Sequence, residues 1–365
     1  MNKEEDLLTY FKEARCLMAG AGFNLRSWSS NSAKLLKLAK EENVLDTDKY
    51  TKILGMLWNS RSDEIFYPKR EIPTPELLQH VTKREVLKYS SKIYDPLGLL
   101  SPVTIRAKIL IQELWKCGLD WDELIPDNLK TTWIDLTKDF EKAIQFTIPR
   151  YYFSKPSAST ELVLHVFTDA SPKAYGAAAY LSNENETTLV MAKTRVAPVK
   201  CLTLPQLELM AAIIGARLAA HLHSTLNYPK IVFWSDSSIV LHWLTSTKTL
   251  KRFIANRVKE ITELTHPYKW RYCPTDNNPA DLLTRGLTIE QFDQSTLWRQ
   301  GPHWLTDSTK WPELNSAKNT VLTSLVDDSE SEEEIDNLDM THQNSLGSIT
   351  NILDISNHGS YMKLL

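Results

Sequence analysis

The sequence has few cysteines and no long hydrophobic run. Its four cysteines, Cys16, Cys117, Cys201 and Cys273, lie 101, 84 and 72 positions apart. Such spacing forms no CxxC pair, zinc knuckle or disulfide framework, so reduced thiols and an intracellular setting, cytoplasmic or nuclear, are expected. No stretch reaches the ~20 uninterrupted apolar residues of a membrane span, which excludes integral insertion. The amino terminus (Met1, Asn2, Lys3, Glu4, Glu5, Asp6) is charged and shows no secretory signal. No repeat of roughly 20 to 50 residues is present, which argues against a solenoid or propeller.

What is present is an ordinary globular composition, 42% apolar and 24% charged over 365 residues. The net charge of −3 is unevenly spread. Residues 327–365 hold nine acids against one lysine, a net of −8, so the first 326 residues carry +5. A mildly basic body permits a nucleic-acid partner without requiring one.

The periodicity predicts a helix over 4–19, stopped at Gly20-Ala21-Gly22, then short strands over 23–28 and 53–58. Pro68, Pro73 and Pro75 mark a linker. From 83 to about 150 the pattern is helical, broken at Asp95-Pro96-Leu97-Gly98 and Ser101-Pro102. After a Ser/Pro/Lys-rich boundary at 154–160, apolar runs at 162–167, 176–181 and 188–196 predict three strands. A long helix is announced at Thr203, with Pro205 in its first turn and Gln206 three residues after the cap. A strand at 231–234, helices at 238–246 and 253–265, a strand at 268–273 and a short helix at 279–284 complete the order βββαβααβα. That order implies an α/β fold with a mixed five-stranded sheet and flanking helices. Residues 288–314, rich in Trp and Pro, are expected to pack as an extension, and 315–365 to form a disordered acidic tail.

Four acids occupy telling places. Asp169 and Asp236 each end an apolar strand, Glu208 lies early in the long helix, and Asp281 lies in the last short helix. Ligands of open α/β sheets bind at such strand ends. Singly, each has an ordinary explanation as a turn residue, a helix cap or a solvated acid. Together, in the order strand-Asp, helix-Glu, strand-Asp, helix-Asp, they suggest carboxylates gathered around two divalent ions, Mg²⁺ or Mn²⁺. Two such ions can stabilise the attacking and leaving oxygens of a phosphodiester displacement. Asp169 is assigned to bridge them, Glu208 and Asp236 to complete one site, and Asp281 the other.

The frames Phe167-Thr168-Asp169-Ala170-Ser171, Leu204-Pro205-Gln206-Leu207-Glu208-Leu209, Trp234-Ser235-Asp236-Ser237 and Asn278-Pro279-Ala280-Asp281-Leu282-Leu283-Thr284-Arg285-Gly286 resemble a retroelement ribonuclease H domain. The run Tyr94-Asp95-Pro96-Leu97-Gly98-Leu99-Leu100-Ser101-Pro102-Val103 narrows the resemblance to the Pol polyprotein of BEL/Pao-type LTR retrotransposons. It implies a reverse-transcriptase palm remnant at 1–67, a helical thumb or connection at 83–150 and a ribonuclease H-like domain at 160–287. Residues 22–31 and 54–58 resemble the end of that palm. The polymerase's Asp-Asp hairpin is not found before Asp327-Asp328, and no zinc module or integrase core follows Trp311. The chain is therefore expected to lack polymerisation and to be a piece of a larger polyprotein.

Many ribonucleases H carry a histidine shortly before the last Asp; here Pro274-Thr275-Asp276-Asn277-Asn278 has none, and Thr275 stands near its place. His221 and His242 are expected to be ordinary packing or surface residues. The implied substrate is an RNA/DNA hybrid, told apart by its 2′-OH groups and groove width. Ser171, Ser237, Asn277 and Asn278 are candidates for sugar or phosphate contacts. Lys251, Arg252 and Arg257, with Lys248, could follow the DNA strand or simply be solvated. The rival expectation is a silent or co-opted fragment that binds nucleic acid without cleaving it.

Overall fold

The computed structural model describes residues 4–48, 50–69, 80–154, 161–200, 202–226 and 229–313. Most of the proline-marked linker, the 155–160 boundary and the expected tail at 315–365 lie outside the described residues. The chain divides into two compact units, Met1–Glu71 with Lys92–Tyr94 and Ile144–Tyr151, and Ile72–Ser91 with Asp95–Ala143 and Tyr152–Leu365. Among the described residues no helix is long and apolar enough to cross a membrane.

The first unit holds helices α1 (Glu4–Gly20) and α2 (Ala33–Glu41) and an antiparallel sheet of β1 (Thr51–Ile53), β2 (Met56–Asn59), β3 (Glu64–Phe66) and β4 (Thr147–Pro149). Phe11, Leu35, Ala39 and Val44 form its small core. Two expectations need correction here. Residues 23–28 form no strand beyond a single bridge between Trp28 and Leu45. The strand expected at 53–58 is a hairpin, because Leu54 and Gly55 both take positive φ, 49° and 85°, the conformation of a tight two-residue turn. Arg150 fastens β4 by a paired contact with Asp63, Nε to Oδ1 at 2.6 Å and Nη2 to Oδ2 at 3.0 Å.

The second unit begins with α3 (Lys83–Ser90), α4 (Ser101–Lys116) and α5 (Asp127–Ala143). The sheet follows: β5 (Val163–Ala170), β6 (Ala174–Ser182) and β7 (Thr187–Val196), then α6 (Leu204–Thr225), β8 (Lys230–Ser235), α7 (Ser238–Thr245), α8 (Arg252–Thr265) and β9 (Trp270–Tyr272). Helices α9 (Ala280–Arg285), α10 (Ile289–Gln294) and α11 (Thr296–Gln300) close it. The strand order is β7-β6-β5-β8-β9; β5, β6 and β7 pair antiparallel, while β5, β8 and β9 run parallel. This is the mixed five-stranded sheet the element order implies.

Strands β5 and β6 are buried on both faces, which is why they read as apolar runs without alternation. On one face α6 lies close. Gly215 permits this, since a Cβ there would fall 2.5 Å from Thr168 Cγ2. On the other face Phe167 and Trp234 stack with ring planes 12° apart, and Trp304 meets Trp234 edge-on at 4.9 Å. The Trp-rich segment is thus packed, with Trp298 fixed by its Nε1 on Leu99 O at 2.9 Å and by Tyr180 Oη on Trp298 O at 2.8 Å.

Helices α3–α5 share a unit with the five-stranded sheet. The reason lies in Asp95-Pro96-Leu97-Gly98. Asp95 accepts bonds from Leu99 N at 3.0 Å and Leu100 N at 2.8 Å, folding the turn. Leu97 O then receives the N–H of Ala192 at 2.8 Å, covering the outer edge of β7. An edge strand left open would invite pairing with another chain. Leu287 N on Pro102 O, 2.8 Å, ties α4 to the chain after α9.

Candidate active site

Parallel pairing of β5 with β8 sets Thr168 opposite Ser235, so Asp169 and Asp236 stand at adjacent strand ends. Helix α6 starts at a capping box: Thr203 N donates to Gln206 Oε1 at 2.8 Å, and Glu208 follows one turn later. Helix α9 carries Asp281 and is positioned by Asn278, which is 1% exposed. Asn278 Nδ2 donates to Thr168 O at 3.0 Å and to Asp236 Oδ1 at 3.3 Å, while its Oδ1 accepts from Ala280 N at 3.1 Å. One buried amide thereby links the ends of β5 and β8 to the start of α9.

Burial pushes the Asp169 carboxyl up to about 8; the charges of Asp236, Asp281 and Glu208 add to this, and a bond from Thr284 opposes it. Burial lifts Glu208 to about 7, with Asp236 adding and a hydrogen bond from Ser237 opposing. Asp236 is raised by burial and by Asp281, against hydrogen bonds from Thr275 and Asn278. Asp281 is raised by burial and by Asp276, against Arg285. Asp169 thus feels all three of the other acids.

The convergence is incomplete. Among the described residues no group of three or more His, Cys, Asp or Glu is placed closely enough to hold a metal ion. Each acid is drawn to a neighbour instead. Asp281 Oδ1 sits 2.6 Å from Arg285 Nε, Asp169 Oδ2 accepts from Thr284 Oγ1 at 2.5 Å, and Asp236 is held by Thr275 and Asn278. The donor chemistry still fits a hard divalent cation: the acids supply only oxygens, and burial, with repulsion among them added, disfavours their charged forms. The Arg285 side chain, 68% exposed, can leave Asp281 without breaking the core.

The residues expected to touch nucleic acid separate. Ser237 caps α7, accepting from Val240 N at 3.3 Å, and also reaches Glu208. Ser171 Oγ is used inside the fold, with Thr284 O at 3.0 Å and Ala174 O at 3.3 Å. Asn277 Oδ1 accepts from Trp304 Nε1 at 3.2 Å, while Asn278 is buried as described. Lys251 and Arg252 are exposed at the start of α8. Arg257 needs correction: it is 3% exposed, its Nη1 donates to Phe253 O at 2.9 Å, and its guanidinium lies 3.4 Å from the centre of the Phe253 ring. Helical spacing turns it inward, where it cannot follow a strand.

A prediction separates these cations. Reversing the charge of Lys251 and Arg252 together should make the log–log salt dependence of hybrid binding shallower by about 2, whereas Arg257→Met should leave it unchanged. Equal slopes for all three proteins would remove this surface from the substrate path.

Sequence reasoning did not single out Thr284 or Arg285 as partners of the acids. The only signal for them is their place, three and four residues after Asp281, one helical turn away. His165, buried between β5 and β8, is no candidate. Burial holds its pKa near 3, Nδ1 accepts from Trp234 Nε1 at 3.2 Å, and Nε2 meets Ser182 Oγ at 2.9 Å.

Residues 82–237 match the family described as the Pao retrotransposon-like RNaseH-like domain. Over that stretch the chain is similar to an RNase H-like domain of the Pao type. The match is consistent with the resemblance to a Pao-type retrotransposon Pol fragment. The matched stretch includes Asp169, Glu208 and Asp236, and Asp281 follows it. Among curated proteins no sequence matches. Solved structures similar to the chain include RNase H1 from the halophilic archaeon Halobacterium salinarum, at 18% identity over 37% of this chain and 99% of that one, TM-score 0.27. LC11-RNase H1 in complex with an RNA/DNA hybrid is 12% identical over 36% and 98%, TM-score 0.29. The foamy viral protease-reverse transcriptase in complex with an RNA/DNA hybrid is 11% identical over 68% of this chain and 34% of that one, TM-score 0.39.

Proposed function

We propose that the RNase H-like domain is a divalent-cation-dependent endonuclease that hydrolyses the RNA strand of RNA/DNA hybrids. The observation that carries this reading is the placement of Asp169 and Asp236 at the adjacent ends of β5 and β8, where buried Asn278 joins them to the start of the helix bearing Asp281. A folded protein gains nothing from burying such acids together unless something cationic joins them. Asp169, Glu208, Asp236 and Asp281 would hold Mg²⁺ or Mn²⁺. Bound there, such ions would supply activation of a water and stabilisation of charge on the departing 3′ oxygen.

The chain's own residues do the rest. Ser237 orients Glu208 by its hydrogen bond, and Asn278 and Thr275 orient Asp236. Asn277, whose carbonyl oxygen is taken by Trp304, retains an amide N–H₂ able to donate to a sugar or phosphate oxygen. The stretch 274–278 holds no histidine, and Thr275 serves there as a hydrogen-bonding partner of Asp236.

The rival reading, a binder without turnover, draws on the Asp281–Arg285 pair, which neutralises one acid without any cation. Titrating Mg²⁺ against the protein with a labelled hybrid separates the two. RNA fragments should appear with millimolar Mg²⁺, vanish with EDTA, and form equally from a circular hybrid, which offers no free end. Binding without cleavage at every Mg²⁺ concentration would favour the rival.

A further inference from the structure

We propose that Thr284 is the positioning residue that fixes the Asp169 carboxylate, so that one of its oxygens is committed to the protein and the other is kept for the cation. The inference rests on the nuclease reading above. Thr284 is 0% exposed, and its Oγ1 donates to Asp169 Oδ2 at 2.5 Å, the length of a charge-assisted O–H···O⁻ bond. Its backbone carbonyl accepts from Ser171 Oγ at 3.0 Å. A single residue of α9 therefore grips Asp169-Ala170-Ser171 at both ends.

The grip is firm because α9 itself is anchored. Thr194 Oγ1 on β7 reaches Leu283 O at 3.3 Å. Gly176 lets Leu283 settle on β6, since a Cβ there would stand 2.8 Å from Leu283 Cδ1. Asn278 holds the other end on Thr168 and Asp236.

The ordinary role of a helical threonine hydroxyl is to bond back to a carbonyl one turn earlier, and Asp281 O does lie 3.1 Å from Thr284 Oγ1. A hydroxyl has one proton, and the contact to Asp169 is shorter by 0.6 Å. Asp169 Oδ1 accepts no bond from the described residues, so it is the oxygen left for a ligand. Without the hydroxyl, nothing distinguishes the two oxygens, and the carboxylate can rotate.

The test uses the full chain with Thr284→Val, which keeps the volume and loses the donor, and Thr284→Ser, which keeps the donor. Mn²⁺ binding is measured by calorimetry beside the melting temperature, and hybrid cleavage is followed as a function of Mg²⁺. Thr284→Val should bind Mn²⁺ about tenfold or more weakly and need proportionally more Mg²⁺ for half-maximal cleavage. Thr284→Ser should restore both to within about twofold.

If Val is not accommodated, Thr284→Ala removes the same donor and serves in its place. A donor-less variant that binds Mn²⁺ as tightly as the native protein, whatever its melting temperature, overturns the inference, as does failure of Ser to restore binding. A native protein that neither binds Mn²⁺ nor cleaves hybrid removes the nuclease reading and this inference with it. A native protein that does both, matched by Thr284→Val, removes this inference alone.

Discussion

Replacing Asp169 by Asn should lower hybrid cleavage by about 10³-fold or more while making the protein more stable at pH 8. The rate loss follows from the site. Asp169 is the acid coupled to all three others, and removing it costs several kcal/mol of charge stabilisation at about 1.4 kcal/mol per factor of ten. The stability gain follows from burial, which raises Asp169 from the ordinary 3.8 to about 8. Between those values the folded chain keeps a proton that the unfolded chain has lost, so the native protein loses stability as pH rises through that range. Asn carries no such penalty, and its carbonyl can still accept from Thr284. The melting temperature of Asp169→Asn should exceed the native value by about 3 °C or more at pH 8, and by nothing below pH 4. Paired melting curves and rates at the two pH values check this. Native activity, or a lower melting temperature at pH 8, would contradict the assignment.

Gly98→Ala should be the most damaging small substitution in the turn that covers β7. Gly98 has φ +72°, and a Cβ there would stand 1.9 Å from the carbonyl oxygen of Ala192, a backbone atom that cannot step aside. Gly118 supplies the control: its φ is +68°, but nothing lies within 4 Å of the added atom. Both alanines pay the left-handed backbone strain of about 1 kcal/mol; only the first also displaces β7. Gly98→Ala is therefore expected to lose about 3 kcal/mol or more, and Gly118→Ala about 1, in urea unfolding. Equal losses would show that the turn does not bear on the sheet as described.

Much of the domain built on the five-stranded sheet could be read before folding because its signals are local. The strand runs at β5, β6 and β7, the capping box at Thr203, and the acids at the ends of β5 and β8 are short-range patterns, and the sheet forms in the implied order. Contacts that join distant segments leave weaker marks. The packing of α4 beside β7 depends on Leu97 O meeting Ala192 N, 95 positions apart, and periodicity within either segment cannot reveal it. Arg257 has the composition of a surface residue, yet the turn of α8 lays it on Phe253. Thr284 reads as one more helical residue, and only the closed fold sets it against Asp169. The hairpin at Leu54-Gly55 was hidden for another reason: Leu at a positive-φ position breaks the usual turn chemistry.

The central claim is that Asp169, Glu208, Asp236 and Asp281 form a site for divalent cations, and calorimetric titration of Mn²⁺ in buffers of different ionisation enthalpy tests it most directly. Because Asp169 and Glu208 stand near 8 and 7 without a cation, binding should release protons and should be at least about tenfold tighter at pH 8 than at pH 6. Mg²⁺ should compete, and Asp169→Asn should abolish the signal. A folded native protein that takes up no Mn²⁺ at pH 8 through the millimolar range, or binds it without releasing protons, would contradict the account.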